Sequence, residues 1–312
     1  MTNVLVWAPD AAGVNELSAK VTGLGLTPVA AVLSDDVDAN TLIQHGAASV
    51  IKVSDAKLAD LESGVVVDAL AACAAEAGAT AVFIHGGKRG KEVAPALAVK
   101  MDAACITLAH AASHDGGKWS FERMYLGGKT VATEIPTTEN VVVTLPPRSA
   151  DPLAADAGRS GETKTITPTL RDARVKVVSK KQKEAAEVDI EAATIVVGAG
   201  RGFKEKADLD IGFALAKAMG GQLGCTRPLA TDLGWLTDDY WIGLSGKEVK
   251  PKVYVAAGIS GQIQHTTGIR GAKIIVAINT NKDAPIFKMA DYGIVGDLYK
   301  VLPALKTAVE NQ

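Results

Sequence analysis

Aromatic residues are few: five phenylalanines, five tyrosines and four tryptophans make up 4% of 312 residues. The cores are therefore expected to rest on Val, Ile, Leu and Ala in close helix-on-sheet layers. Cysteine is scarcer. Cys73, Cys105 and Cys225 are odd in number and far apart, which argues against a disulfide framework and against a zinc site. Each reads as a small buried hydrophobe, and the usage fits a reducing cytoplasm. An excess of one charge is also lacking, since the formal net charge is -2. Nothing in that balance calls for nucleic acid, and there is no acidic tail. Long uncharged apolar runs are missing as well. The longest apolar region, residues 65–84, contains Asp68 and Glu76, so no membrane-embedded segment is expected. The opening Met-Thr-Asn-Val-Leu-Val-Trp has no basic stretch ahead of an apolar one, and no targeting segment is expected.

What is present suits two domains. A chain of 312 residues with 47% hydrophobic and 22% charged residues has the profile of an ordinary globular protein. In the first half, short apolar runs at residues 4–7, 29–33, 49–53, 81–85 and 106–109 read as buried strands. Residues 12–23, 38–45, 65–78 and 90–101 between them read as helices. That alternation predicts a parallel sheet with right-handed crossovers. Residues 118–125 and 130–134 then flank Gly127-Gly128 as a hairpin, and 139–145 is a further strand. Residues 136–168 hold five of the twelve prolines and read as loop. A strand is expected at 174–179, and the polar stretch 180–187 places a domain boundary near residue 186.

After the boundary the alternation restarts. Strands are expected at 194–197, 253–257, 273–278 and 292–295, with helices at 208–219 and 297–309. The fold class is α/β: two doubly wound parallel-sheet domains, residues 1–186 and 187–312. Ligands of such sheets bind beyond the carboxyl ends of the strands, so the residues that follow each strand carry the functional information.

In the second domain those residues are glycine-rich and polar. Val-Val-Gly-Ala-Gly-Arg-Gly, 196–202, offers backbone N–H groups and Arg201 to a diphosphate, although glycines serve any tight turn equally. Gly-Cys-Thr-Arg-Pro, 224–228, places a proline just after a hydroxyl and a guanidinium, fixing the backbone that follows Thr226 and Arg227. The Ile-Gly-Leu-Ser-Gly-Lys loop, 242–247, lacks the Gly-x-Ser-x-Gly spacing of a nucleophile elbow, which argues against a serine hydrolase. Gly-Ile-Ser-Gly-Gln-Ile-Gln-His, 258–265, brings small residues and a hydroxyl to a helix start suited to a phosphate or a ribityl chain. Asn279 and Asp297 stand at later strand ends, where Asp297 also suits a helix N-cap. Together these loops suggest a nucleotide cofactor across the sheet's edge. No acid–base or nucleophile–base pair stands out, which favours cofactor chemistry over hydrolysis.

The same loops, with Ala-Ile-Asn, Ala-Pro-Ile-Phe and Ala-Asp-Tyr-Gly-Ile-Val-Gly-Asp, resemble the signature region of electron transfer flavoprotein alpha subunits over residues 194–302. The first domain is similar more loosely, through its alternation and Lys88-Arg89-Gly90-Lys91. The resemblance is closest to bacterial alpha subunits linked to nitrogen fixation and carnitine metabolism. It implies a Rossmann-like C-terminal domain that binds FAD, and a beta subunit packed on the chain as a heterodimer. Such a protein is an electron carrier between dehydrogenases, such as acyl-CoA dehydrogenases, and a quinone oxidoreductase or another acceptor.

By position the resemblance implies that Arg201 meets the diphosphate or adenosine side, and that Thr226 and Arg227 lie against the ring near N5. It places Gly243, Leu244 and Ser245 on a loop approaching the same edge. Ser260, Gly261, Gln262, Ile263, Gln264 and His265 would line the ribityl chain and diphosphate, with His265 near O2. Asn279, Asp297 and Leu298 would hold the ADP half. Arg227 and a pH-responsive His265 would then both favour negative charge on the ring. Many relatives carry Gln-Thr where Leu244-Ser245 stand, and the Leu-Ser-Gly form resembles flavin-bifurcating alpha subunits that oxidise NADH. Other readings remain: an NAD-dependent or deoxyhypusine-synthase-like enzyme with His265 as base, and a regulator that senses AMP or acyl-CoA through the first domain. His45, His110 and His114 show no metal-ligand grouping.

Overall fold

The computed structural model describes residues 2–34, 36–179 and 188–311. The chain divides into two compact units, residues 1–180 and 181–312. The expected boundary at 186 and the polar stretch around it lie outside the described residues.

The first unit alternates β1 (Asn3–Trp7), α1 (Ala11–Gly23), β2 (Thr27–Val32), α2 (Ala39–Gln44), β3 (Ser49–Val53), α3 (Ser63–Ala77), β4 (Ala81–His85), α4 (Lys88–Lys100) and β5 (Ala103–Ile106). The strands β6 (Ala109–Asp115), β7 (Lys118–Tyr125) and β8 (Thr130–Glu134) follow, then β9 (Asn140–Leu145) and β10 (Glu162–Ile166). Seven of these strands form one parallel sheet in the order β10-β3-β2-β1-β4-β9-β5, and β6-β7-β8 form an antiparallel sheet.

Strand period decides which helix each side chain meets. Leu5 and Trp7 face the core shared with α3 and α4, while Val4 and Val6 face the one shared with α1. Trp119 and Phe121 of β7 belong to that second core, and the Phe83 ring lies 5.4 Å from Trp119. Three of the aromatics, Phe83, Trp119 and Phe121, thus meet where the small sheet packs on the large one. Helix starts follow their caps. Asp10 accepts from the Gly13 backbone N–H at 2.8 Å, and α3 ends on Gly78 in the left-handed conformation.

The second unit contains β11 (Ile195–Ala199), α5 (Leu209–Ala218), β12 (Gln222–Cys225), β13 (Val253–Ala257), α6 (Ile263–Thr266), β14 (Ile274–Asn279), β15 (Tyr292–Val295) and α7 (Leu298–Glu310). Its sheet is parallel throughout, in the order β12-β11-β13-β14-β15. Val197 and Val255 pack on the α5 and α7 side. Val196 and Tyr254 point to the opposite core.

Three expectations need correction. Residues 106–109 are no single strand: β5 ends at Ile106 and β6 begins at Ala109 in another sheet, with Leu108 at φ 54 turning the chain between them. The stretch 136–168 is not all loop, because Glu162–Ile166 adds an edge strand against β3. Residues 174–179 form no strand, and Val178 is 93% exposed; alternation gives a strand only where a neighbouring strand accepts its hydrogen bonds. The strand β12 was not anticipated; its Gly224 lies close to Ile242, whose side chain a Cβ there would approach to 2.4 Å.

Candidate functional site

Because every strand of the second sheet runs the same way, all five carboxyl ends meet at one edge. The loops leaving them line a cleft of about 590 Å³. Three of them are tied together by backbone hydrogen bonds. Gly200 N–H donates to the Ala257 carbonyl at 3.0 Å, Gly202 N–H to Gly258 at 3.0 Å, and Gly258 N–H to Ile278 at 2.9 Å. The loops approach so closely that a Cβ on Gly200 would stand 2.4 Å from the Gly258 carbonyl oxygen. The glycines after β11 are therefore required by packing as well as by any ligand.

The cleft gathers most of the residues singled out in the sequence. Arg201, Thr226, Arg227, Leu244, Ser245 and Ser260 line it, as do Gln262, Gln264, His265, Asn279, Asp297 and Leu298. Gly243, Gly261 and Ile263 do not. Gly243, at φ +151, lets the next N–H, that of Leu244, donate to Gln264 at 2.7 Å. Gly261, at φ +88, leaves room for the Ile286 N–H, which a Cβ would approach to 2.2 Å. The Ile263 carbonyl accepts from the Thr267 hydroxyl at 2.8 Å. These three shape the lining residues' backbone.

Three cationic side chains, Arg201, Lys204 and Arg227, line the cleft. The Arg201 and Arg227 side chains have no carboxylate partner among the described residues, and Arg227 lies over the Trp241 ring at 5.7 Å. Lys204 lies 5.5 Å over the Tyr299 ring. The Tyr299 hydroxyl accepts from the Lys204 backbone N–H at 2.8 Å and donates to Asp208 at 2.5 Å. That hydrogen bond holds the Asp208 carboxyl below its ordinary value and pins the loop after β11 to α7. Asp297, the acid on the cleft wall, caps α7 by accepting from Tyr299 N–H at 3.0 Å.

Thr226 is 9% exposed, and its hydroxyl has no hydrogen-bond partner among the described residues, although it lines the cleft. A buried hydroxyl without a partner is rare, so it marks a place where a ligand completes the hydrogen bonding. His265 is the opposite case. It is 6% exposed, with Nδ1 lying 3.1 Å from the Ile242 carbonyl oxygen and Nε2 2.9 Å from the Tyr254 hydroxyl. Burial pushes the imidazole down to about 4. That burial works against the pH-responsive cation expected at this position. The ring is also engaged at both nitrogens.

Lys204, Trp241, Thr280 and Tyr299 also line the cleft and were not singled out from the sequence. Trp241 gave no signal there, because its place depends on a bridge to Cys225. Among the described residues, no group of three or more His, Cys, Asp or Glu side chains is placed to hold a metal ion. No helix among them is long and apolar enough to cross a membrane.

A parallel sheet whose strand ends carry glycine-rich loops, unpaired guanidiniums and an unsatisfied hydroxyl defines a nucleotide-cofactor-binding domain. The comparisons with known proteins then specify it. The family model described as the electron transfer flavoprotein FAD-binding domain matches residues 189–270, and the electron transfer flavoprotein domain model matches residues 14–170. Protein FixB of Escherichia coli O1:K1 is 36% identical over 278 residues, 88% of each chain. Protein FixB of Shigella flexneri is 35% identical over 282 residues, 89% of each chain. The chain belongs to the electron transfer flavoprotein alpha subunit family, and its cofactor is FAD.

The residues fit that cofactor. Arg201 stands at a glycine-rich strand end suited to a diphosphate, Arg227 offers an uncompensated positive charge, and Thr226 offers a hydroxyl that lacks a partner.

Proposed function

We propose that the chain serves as the FAD-carrying alpha subunit of a heterodimeric electron carrier. It pairs with a beta subunit, takes electrons from dehydrogenases such as acyl-CoA dehydrogenases, and passes them to a quinone oxidoreductase or another acceptor. FAD supplies the redox chemistry; the protein binds it, orients it and sets its potential. The observation that carries the reading is the meeting of unpartnered cations and an orphan hydroxyl on one cleft wall. In this reading Arg201 neutralises the diphosphate, while Arg227 and Thr226 face the ring. Asn279, whose side-chain amide donates to the Ile259 carbonyl at 2.9 Å, holds the loop beside the ADP half together with Asp297 and Leu298. A reducing cytoplasm agrees with the three free cysteines.

Coexpression with a beta-type partner and stepwise anaerobic reduction tests the reading. A yellow complex that releases FAD on denaturation and passes electrons to an acceptor supports it, and a colourless complex that rebinds no FAD overturns it. Arg227→Ala is expected to lower the midpoint potential of the bound FAD by on the order of 30 mV, a tenfold change in a two-electron equilibrium. A potential unchanged in redox titration would remove Arg227 from the ring's surroundings.

The exposed Leu244-Ser245 pair keeps a second reading open, that of a flavin-bifurcating complex. Leu244 is 55% exposed on the cleft and offers no side-chain donor, unlike the glutamine of many relatives. A second flavin in the complex, reduced by NADH, would select that reading.

A further inference from the structure

Behind the cleft wall lies a buried hydrogen-bonded unit of three residues. Tyr254, in the middle of β13, is fully buried, and its hydroxyl lies 2.9 Å from Nε2 of His265. The Ile242 carbonyl lies 3.1 Å from Nδ1. A carbonyl oxygen only accepts, so Nδ1 must carry the ring proton. Nε2 of the neutral ring is then an acceptor, and the tyrosine O–H is its donor. Gly198 makes this possible. A Cβ at that position would stand 1.8 Å from the Tyr254 hydroxyl oxygen and 2.5 Å from Cζ. The first glycine of the 196–202 motif thus serves the tyrosine.

We propose that Tyr254 is a positioning residue of the FAD cleft: its hydroxyl holds His265 as a neutral ring protonated at Nδ1, and the bare Cα of Gly198 admits that hydroxyl. The inference rests on the reading of this cleft as the FAD site. It changes what His265 does there. With both nitrogens committed inside the protein, the imidazole meets the cofactor as an uncharged wall, and fixed positive charge on the cleft comes from side chains such as Arg227. An imidazolium would turn Nε2 into a donor, and the tyrosine proton would then lose its acceptor in a site without water-facing surface. The other groups around the unit agree. Cys225, at the end of β12, is a buried thiol whose pKa burial pushes up to about 12, and burial raises that of Tyr254 as well. No carboxylate or cation among the described residues is paired with the ring.

The test uses the complete complex with FAD bound and histidine labelled with nitrogen-15. The wild type is expected to show His265 protonated at Nδ1 alone, with a line position that does not move from about pH 5 to 8. Disappearance of that signal in His265→Asn assigns it among the histidines of the complex, five of which are in this chain. Tyr254→Phe is expected to give a mixture of both tautomers and a titration that enters this window, with a pH-dependent departure of the FAD midpoint potential from the wild-type curve. Gly198→Ala should reproduce the spectral change by displacing the hydroxyl, while thermal melting confirms that each variant is folded. A wild-type ring that is protonated at Nε2 or titrates in this window overturns the proposal. So does a folded Tyr254→Phe complex with unchanged tautomer and unchanged potential. A complex that binds no FAD defeats the functional reading instead, and the nitrogen spectrum still decides the role of Tyr254.

Discussion

Gly258→Ala is expected to weaken FAD binding by on the order of 100-fold, the scale on which a misplacement of about 1 Å is felt at a binding centre. Gly258 follows β13 at φ +63, a conformation that costs an alanine about 1–2 kcal/mol. Crowding is the larger effect. The added Cβ would stand 2.7 Å from the Cα of Gly202 and 2.8 Å from the Leu298 side chain. The first of these neighbours is backbone, so the loop carrying Arg201 and the loop carrying Ser260 must separate. Gly220→Ala is the control, because Gly220 has φ +67 but nothing within 4 Å of its added Cβ. It carries the conformational strain without moving a loop, and its FAD affinity should match the wild type. Fluorescence titration of the FAD-stripped complex measures both variants. Equal losses in the two would assign the effect to strain and remove the loop contact from the binding site.

Asp68→Asn is expected to destabilise the first unit by about 3 kcal/mol, the lower end of what breaking a buried pair costs. The Asp68 side chain is 7% exposed. One carboxylate oxygen accepts from the Arg171 backbone N–H at 3.0 Å and from its Nε at 2.8 Å. The other accepts from Arg171 Nη2 at 2.8 Å and from Lys100 Nζ. An amide in its place turns one acceptor into a donor facing other donors. The lower end applies because Arg171 and Lys100 are 41% and 39% exposed and regain water when the pair is lost. The pH dependence has a definite sign. The Arg171 hydrogen bonds hold the Asp68 carboxyl well below its ordinary 3.8. Its contribution is therefore complete above the unfolded value, declines as pH falls below about 4, and vanishes below the folded value. Urea titrations of wild type and variant should differ at pH 7 and converge in acid. A constant difference at all pH values would assign the loss to packing.

The parts of the fold legible in the sequence are those buried on both faces. β1, β4 and β13 are continuous apolar runs, because helices or a second sheet cover each side, and their limits follow from composition alone. The parts that were not legible depend on partners far along the chain. β10 is polar and proline-flanked, and it is a strand only because β3 offers it an open edge. Residues 174–179 have the alternation but pair with no strand among the described residues. The cleft divides the same way. Glycine motifs at strand ends announced Arg201, Thr226 and the 258–265 loop, since few other structures need that composition. Lys204 and Tyr299 are ordinary residues in ordinary patterns. They belong to the cleft because a hydroxyl reaches across from α7 to the loop after β11, a relation no local window contains. His265 was found, but its contact with Tyr254 was not, because that tyrosine lies eleven residues away on a strand read only as apolar.

The strand order of the first sheet also has a bearing on synthesis. Its central strands, β1 and β4, emerge early, but β9 must be inserted between β4 and β5 and β10 added outside β3. A nascent chain that has reached residue 135 therefore carries β3 with one unpaired edge and β4 with another, both rich in Val and Ile. Edges of that kind associate with other chains. The ribosome-bound intermediate should accordingly be the stage at which this protein most needs a chaperone, and fragments ending between residues 110 and 160 should aggregate where one ending at 179 does not.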